Sequence, residues 1–172
     1  LKTKKFFVYT TQIFTGILFS LAAISLQSSH FFSISIGIFA IIAFSGATHD
    51  MAADGVYLNE LSKADQAKYV GWQGAFYNMA KVLSGGVLVY LAGELEKIYG
   101  VANAWMAVLL VYALVMLLLG FYNMKMLPTG GETNKVDSAS AAFTTLKEVI
   151  ITFFQKKNIW FFVIASIYMS LH

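Results

Sequence analysis

The sequence predicts an all-α membrane protein: a polytopic helix bundle with four complete membrane-spanning helices and the truncated start of a fifth. The 172 residues are 58% hydrophobic and only 12% charged, whereas soluble domains carry about 25% charged residues. Long apolar runs recur along the chain, and about 20 apolar residues suffice for a helix to cross a bilayer. These runs are unbroken rather than alternating, which excludes barrel strands. We therefore expect helices, which satisfy the hydrogen bonds of the backbone N–H and C=O groups within lipid.

The spans and their connections follow from these runs. The complete spans are predicted at about 6–26, 31–58, 70–93 and 104–124, and the fifth begins near residue 158. Residues 1–124 then form the helical bundle, 125–157 form a central loop, and 158–172 begin the next helix. The chain starts with Leu1 and stops at His172 inside an apolar run. We therefore expect both ends to be cut from a longer polypeptide.

The lysines predict the orientation of the spans. Ten of the twelve basic residues fall on one side of the membrane: Lys2, Lys4, Lys5, Lys63, Lys68, Lys125, Lys135, Lys147, Lys156 and Lys157. Positively charged connections stay in the cytoplasm. We therefore predict a polar cytoplasmic loop at 59–69 and external connections at 27–30 and 94–103.

The central loop has two parts. Pro128, Gly130 and Gly131 break the helical pattern at its start. Apolar residues then recur at helical spacing, which indicates either an amphipathic helix on the cytoplasmic surface or an ordinary helix packed on the bundle. These apolar residues are Phe143, Leu146, Val149, Ile150, Phe153 and Phe154.

Composition also excludes several classes of function. The chain has no cysteine, and thus no disulfide framework or thiolate chemistry. It has no convincing catalytic triad, zinc-binding helix motif or phosphate-binding glycine loop, so we expect neither an enzyme nor a cofactor. The lysines lie between apolar runs, which argues against nucleic-acid binding. His49, Asp50 and Asp54 are only three candidate metal ligands and do not all face the same way, so we do not expect a metal site.

The second span contains the most informative residues, His49, Asp50 and Asp54. An ionisable group in hydrocarbon costs about 2.5–3.5 kcal/mol on insertion scales, and such groups usually face a bundle interior or a watery cavity. Asp50 and Asp54 are four residues apart, which places them on one helix face. The pattern predicts a membrane protein that handles something polar or charged.

The third span carries a polar stripe of Gln73, Tyr77, Lys81 and Ser84, with Asn78 beside it. Five glycines in this span predict close helix packing around an interior. Antiparallel spans two and three would bring Lys81 near Asp50 or Asp54, so we predict an ion pair. The pair could lock two helices together, or serve proton coupling or a substrate pathway, or one carboxylate could cap a helix at the interface. The wholly apolar fourth span predicts a peripheral, lipid-facing helix.

Three segments together resemble the AmpG-like muropeptide permeases, a branch of the major facilitator superfamily. Residues 47–57, with the sequence ATHDMAADGVY, resemble the fourth helix of that family. Val70-Gly71, Phe76-Tyr77, Ala80 and Ser84-Gly85-Gly86 resemble its fifth helix, and residues 153–160, FFQKKNIW, resemble the entry into its seventh. The resemblance covers essentially the whole chain, from helix three to the start of helix seven.

The resemblance implies a partial major-facilitator fold and a secondary active transporter of the bacterial inner membrane. Such a permease imports a polar solute, anhydro-muropeptide-like sugar-peptides, by proton symport. Its expected partners are membrane lipid, the solute, protons and the missing remainder of the polypeptide. The candidate residues for proton coupling or the substrate pathway are His49, Asp50, Asp54, Gln73, Tyr77, Asn78 and Lys81. The alternative from another class is a membrane sensor or scaffold that transports nothing.

Overall fold

A computed structural model describes residues 3–131, 151–152, 154–156, 159–161 and 164. The chain divides into two compact units, residues 1–133 and 134–172. Throughout the described part, regular structure is helical and includes no strand. The elements are α1 (Lys4–Ser25), α2 (Phe31–Glu60), α3 (Lys63–Val82), a π-helix (Leu83–Leu88), α4 (Val89–Tyr99) and α5 (Val101–Met126).

Four helices are long and apolar enough to cross a membrane: α1, α2, the continuous helix Lys63–Tyr99 and α5. Each coincides with a predicted span and extends it by a few residues at one or both ends. Such extensions are expected, because polar residues at a span's ends continue a helix while meeting the headgroups. The prediction of an all-helical protein with four helices long and apolar enough to cross a membrane is therefore confirmed for the described residues.

Helix α1 is the centre of the first unit, because it packs against α2 on one side and α5 on the other. Glycines allow the close approach of α1 and α5. A Cβ at Gly16 would lie 2.8 Å from Leu117 Cγ, and one at Gly120 would lie 2.7 Å from Ile13 Cγ1. The fourth span, predicted to be a peripheral and lipid-facing helix, also makes this close contact with α1. One face of α5 packs against α1, while its other face is exposed and apolar.

The predicted loop at 59–69 is nearly absent, since α2 ends at Glu60 and α3 begins at Lys63. The Ser62 hydroxyl accepts a hydrogen bond from the backbone N–H of Asp65, at 3.2 Å, and donates one to the Asp65 carboxylate, at 2.6 Å. This arrangement caps the first turn of α3. The polar residues that suggested a loop thus form a helix start.

The predicted external loop at 94–103 is also mostly helical. Helix α4 continues to Tyr99, and α5 begins at Val101. Gly100 alone separates them, with φ of 79°, a conformation that glycine adopts without the steric cost of a Cβ. Its N–H donates to the Glu96 carbonyl at 2.9 Å, which ends α4. One glycine therefore reverses the chain.

Helix α3 departs most from expectation, because none of its residues is buried. The hydrogen bonds that join it to α2 and to Leu61 all involve Gln66, which contacts Tyr57, Leu58 and Leu61. A Cβ would meet open space at each of the five glycines in this span: Gly71, Gly74, Gly85, Gly86 and Gly93. The predicted tight packing of span three is therefore not formed. Contacts with α5 begin only beyond α3.

The second unit is described only at short helical stretches. There the Phe154 and Trp160 rings lie 5.4 Å apart between centroids. Most of the predicted amphipathic segment lies outside the described residues, as does nearly all of the predicted fifth span.

Candidate functional site

The lysine-rich end of the first unit gathers three parts of the chain. Lys4 Nζ donates to the Gly55 carbonyl at 3.5 Å, which joins the start of α1 to the end of α2. Asn59 Nδ2 donates to the Gly130 carbonyl at 2.8 Å, and the Gly130 N–H donates to Glu60 Oε1 at 2.8 Å. The segment after α5 is thereby fixed to α2. These contacts place the start of α1, the end of α2 and the segment after α5 together, as the lysine distribution predicts.

His49 and Asp50 form the ionisable centre of α2. The Nδ1 atom of His49 lies 3.3 Å from Oδ1 of Asp50. The two side chains differ in environment: that of His49 is 27% exposed, and that of Asp50 is 81% exposed. The other ring nitrogen of His49, Nε2, is buried and has no hydrogen-bond partner among the residues that the structure describes.

A cavity of about 370 Å³ lies between α1, α2 and α5, beside His49. Its walls combine apolar and polar side chains. The polar ones are Gln12 from α1, His49, Tyr57 and Glu60 from α2, and Asn123 from α5. Glu60, Leu61 and Pro128 line it at the lysine-rich end.

Two polar contacts lie at the inner part of this helix junction. Asn123 Nδ2 donates to Gln12 Oε1 at 2.9 Å and joins α5 to α1. Thr15 Oγ1 and Ser45 Oγ are 2.9 Å apart and join α1 to α2. Gln12, Thr15 and Ser45 are all buried. Hydrogen bonding offsets the cost of burying these groups.

The remaining candidates lie apart from this junction. Asp54 is exposed on α2, and Gln73, Tyr77, Asn78 and Lys81 are exposed on α3. Lys81 Nζ lies 5.5 Å from the centroid of the Tyr77 ring. Ion pairs among the described residues join His49 to Asp50 and Glu94 to Lys97. The predicted pairing of Lys81 with Asp50 or Asp54 is therefore not formed, because α3 does not pack along α2.

The π-helix is a second distinctive feature of the third span. Tyr112 on α5 donates a hydrogen bond from its hydroxyl to the Ser84 carbonyl at 3.1 Å. A π-turn interrupts the regular ladder of backbone hydrogen bonds, and the tyrosine supplies a partner from the neighbouring helix. The Phe19 ring stacks on Tyr112, with centroids 5.6 Å apart.

The sequence pattern did not indicate that Gln12 contacts Asn123 or that Thr15 contacts Ser45. The available signal was that Gln12 is the one side-chain amide inside the first predicted span. Residues 12 and 123 are far apart in sequence, so their meeting depends on the packing of α5 against α1. As for metals, the described residues hold no group of three or more side chains suited to bind an ion.

Among the described residues, four helices are long and apolar enough to cross a membrane, and two of them, α2 and α5, pack against α1. They indicate a multi-pass membrane protein. No protein-family model, curated protein or solved structure matches this chain.

Proposed function

We propose that this chain is part of a proton-coupled secondary transporter of the major facilitator superfamily. It would import a polar solute into bacteria across the inner membrane, with anhydro-muropeptide-like sugar-peptides as the solute class. The resemblance of the 47–57 segment to AmpG-like permeases supports the family and the solute. His49, Asp50 and Asp54 are the residues that we assign to the handling of charge.

The observation that carries the proposal is the exposed carboxylate of Asp50 on a membrane-spanning helix. Its side chain is 81% exposed and contacts only the His49 imidazole as an ion-pair partner among the described residues. A carboxylate at such a position costs free energy when it faces lipid, and in membrane proteins such groups mark ion or substrate pathways. Asp50 therefore needs a watery or polar environment on its open side.

The exposed faces of α2 and α3 are consistent with further helices that would pack against them in a larger bundle. None of the α3 residues is buried, and Gln73, Tyr77 and Lys81 lie exposed along it. In a transporter with alternating access, two bundles move about a site near the middle of the membrane. We propose that the polar stripe of α3 and the carboxylates of α2 face that site, with the remaining helices of the permease covering them.

Uptake by the full-length protein in proteoliposomes tests the proposal. Labelled anhydro-muropeptide should accumulate when the outside is acidic, and a protonophore should abolish the accumulation. Asp50→Asn should lose accumulation, because it cannot accept a proton. Glu96→Gln is the matched control, since Glu96 is an exposed carboxylate near the end of α4; it should behave as wild type. Absence of uptake by the wild-type protein would reject this function and favour a sensor or scaffold.

A further inference from the structure

The third apolar helix, Lys63–Tyr99, changes its packing part of the way along. Up to residue 82 it is α3, of which no residue is buried. Beyond that point one series of its residues is partly or fully buried: Ser84, Leu88, Ala92 and Leu95. Their spacing of four, four and three residues is that of one helix face, and α4 packs against α5. The two parts of one continuous helix are therefore attached differently.

The change of packing falls on the π-helix, Leu83–Leu88. A π-turn interrupts the α-helical ladder of hydrogen bonds. Gly85 and Gly86 lie inside it, and glycine makes an α-helix less stable than alanine does, because ordering its backbone costs more entropy. The Ser84 hydroxyl also donates to the Lys81 carbonyl at 3.3 Å, a bond that competes with the backbone ladder. A locally weakened turn therefore separates the unburied part of the helix from its packed part.

The two glycines of the π-helix do not serve a close helix contact. A Cβ added at Gly85 or Gly86 would meet nothing within 4 Å among the described residues. At Gly16 and Gly120, by contrast, a Cβ would clash across the α1–α5 contact. The glycines of the π-helix therefore act on the backbone, and the space around them leaves the turn free to change its form.

A hydrogen bond from the neighbouring helix holds the π-helix in place. The Tyr112 hydroxyl on α5 donates to the Ser84 carbonyl at 3.1 Å. The Tyr112 ring stacks on Phe19 of α1, with 5.6 Å between centroids, and Phe19 meets Phe39 of α2 edge-to-face at 6.5 Å. Rings from α1 and α2 thus support the tyrosine that bonds to the third helix. At the other end of α3, hydrogen bonds of Gln66 with α2 add to the preference for the same orientation.

Conversion of the π-turn into an α-turn would rotate α3. A π-turn holds one residue more than the α-turn that it replaces. Its loss would turn α3 relative to α4 by about 100°, which is one residue's share of an α-helical turn. Because no residue of α3 is buried, this rotation removes no side chain of α3 from a packed core. The packing of α4 against α5 keeps α4 in place, so α3 is the part that turns.

We propose that the π-helix is a swivel, a joint that lets α3 turn about its own axis while α4 stays packed against α5. Tyr112 is its latch, because its hydrogen bond to Ser84 favours the π form. Each conversion breaks and remakes backbone hydrogen bonds of the turn. The rotation re-aims the exposed polar stripe of α3, which includes Gln73, Tyr77 and Lys81. The use of this motion in transport rests on the proposed function, whereas the motion itself does not.

Distances between pairs of spin labels in the full-length protein, measured by pulsed electron paramagnetic resonance, test the rotation. Residues 1–172 contain no cysteine, so in this part of the protein labels attach only at introduced ones. Leu118→Cys, at a site 60% exposed on α5, is combined with Gln73→Cys or with Ala75→Cys on α3. Residues 73 and 75 are about 200° apart around the helix. A rotation therefore brings one label closer to α5 and moves the other away, whereas a tilt of α3 moves both in the same direction.

Two variants change the swivel in defined ways. Deletion of Gly86 removes the extra residue of the π-turn and should shift both distances completely, in opposite directions. Tyr112→Phe should raise the share of these same distances about fivefold over wild type, equivalent to ~1 kcal/mol for the lost hydrogen bond. Two control variants should keep the wild-type distances: Tyr122→Phe, at a residue 60% exposed on α5, and Gly74→Ala, where a Cβ meets open space within α3.

Shifts of both labels in the same direction, or wild-type distances in Tyr112→Phe, would overturn the swivel. Opposite shifts in Tyr112→Phe identify the rotation even if the deletion variant fails to fold. A helix that swivels in a protein without solute uptake would reject only transport. A helix that keeps one orientation in a protein that transports would reject the swivel alone.

Discussion

Asn123 donates a hydrogen bond to Gln12 across 2.9 Å, and it thereby joins α5 to α1 between residues 111 positions apart in the sequence. Gln12 is 7% exposed, so this contact is buried, where few other hydrogen-bond partners are available. It lies on the wall of the same cavity that His49 lines. The bond therefore links the packing of the bundle to the geometry of the candidate site.

Gln12→Leu should destabilise the bundle by about 1–3 kcal/mol, because it leaves the Asn123 amide without its partner. The free energy of unfolding in mixed micelles measures this change. Gln73→Leu is the control, since Gln73 is exposed on α3, and it should change stability by less than about 0.5 kcal/mol. The double variant Gln12→Leu with Asn123→Leu should recover part of the loss. A Gln12→Leu variant as stable as the control would contradict the role of this bond.

Gly120→Ala should be destabilising by about 1–3 kcal/mol, since an added methyl group overpacks a close helix contact. The new Cβ would lie 2.7 Å from Ile13 Cγ1 and 3.3 Å from the Ile13 backbone nitrogen, which cannot move aside easily. Gly74→Ala meets open space and should be neutral or stabilising by about 0.4–1 kcal/mol. The same unfolding measurement compares the two. Equal effects would show that α1 and α5 do not approach closely at Gly120.

Tyr112→Phe should loosen the π-helix while it keeps the ring that stacks on Phe19. Loss of the hydrogen bond to the Ser84 carbonyl should cost about 1 kcal/mol. Backbone hydrogen exchange should rise in residues 83–88. Tyr122→Phe provides the control, because Tyr122 is 60% exposed on the same helix. Unchanged exchange in the Tyr112 variant would mean that the hydroxyl does not stabilise the π-turn.

The sequence predicts the four spans because each has a local cause, an apolar run of sufficient length. It does not predict the turns equally well. Ser62 and Gly100 act through capping geometry, so a polar stretch continues as helix where a loop is expected. The position of α3 depends on long-range packing, which the polar stripe and glycines of that span do not encode. The Gln12–Asn123 contact was missed for the same reason, since it requires the α1–α5 register.

The separation of Lys81 from the carboxylates of α2 makes a further prediction. Asp50→Asn and Lys81→Met should each impair uptake, and their effects on RT ln(kcat/KM) should add within about 0.3–0.5 kcal/mol, as effects at sites without direct contact do. Recovery of uptake in the double variant would instead show a direct ion pair. Lys63→Met, at the exposed start of α3, serves as the control for loss of a lysine charge.

Proton movement driven by the solute tests the central claim most directly. Full-length protein is reconstituted in weakly buffered proteoliposomes, anhydro-muropeptide is added outside, and a pH electrode follows the external solution. The account predicts alkalinisation outside as protons enter with the solute, and its loss in Asp50→Asn. Entry of labelled solute with no change in external pH would contradict proton coupling.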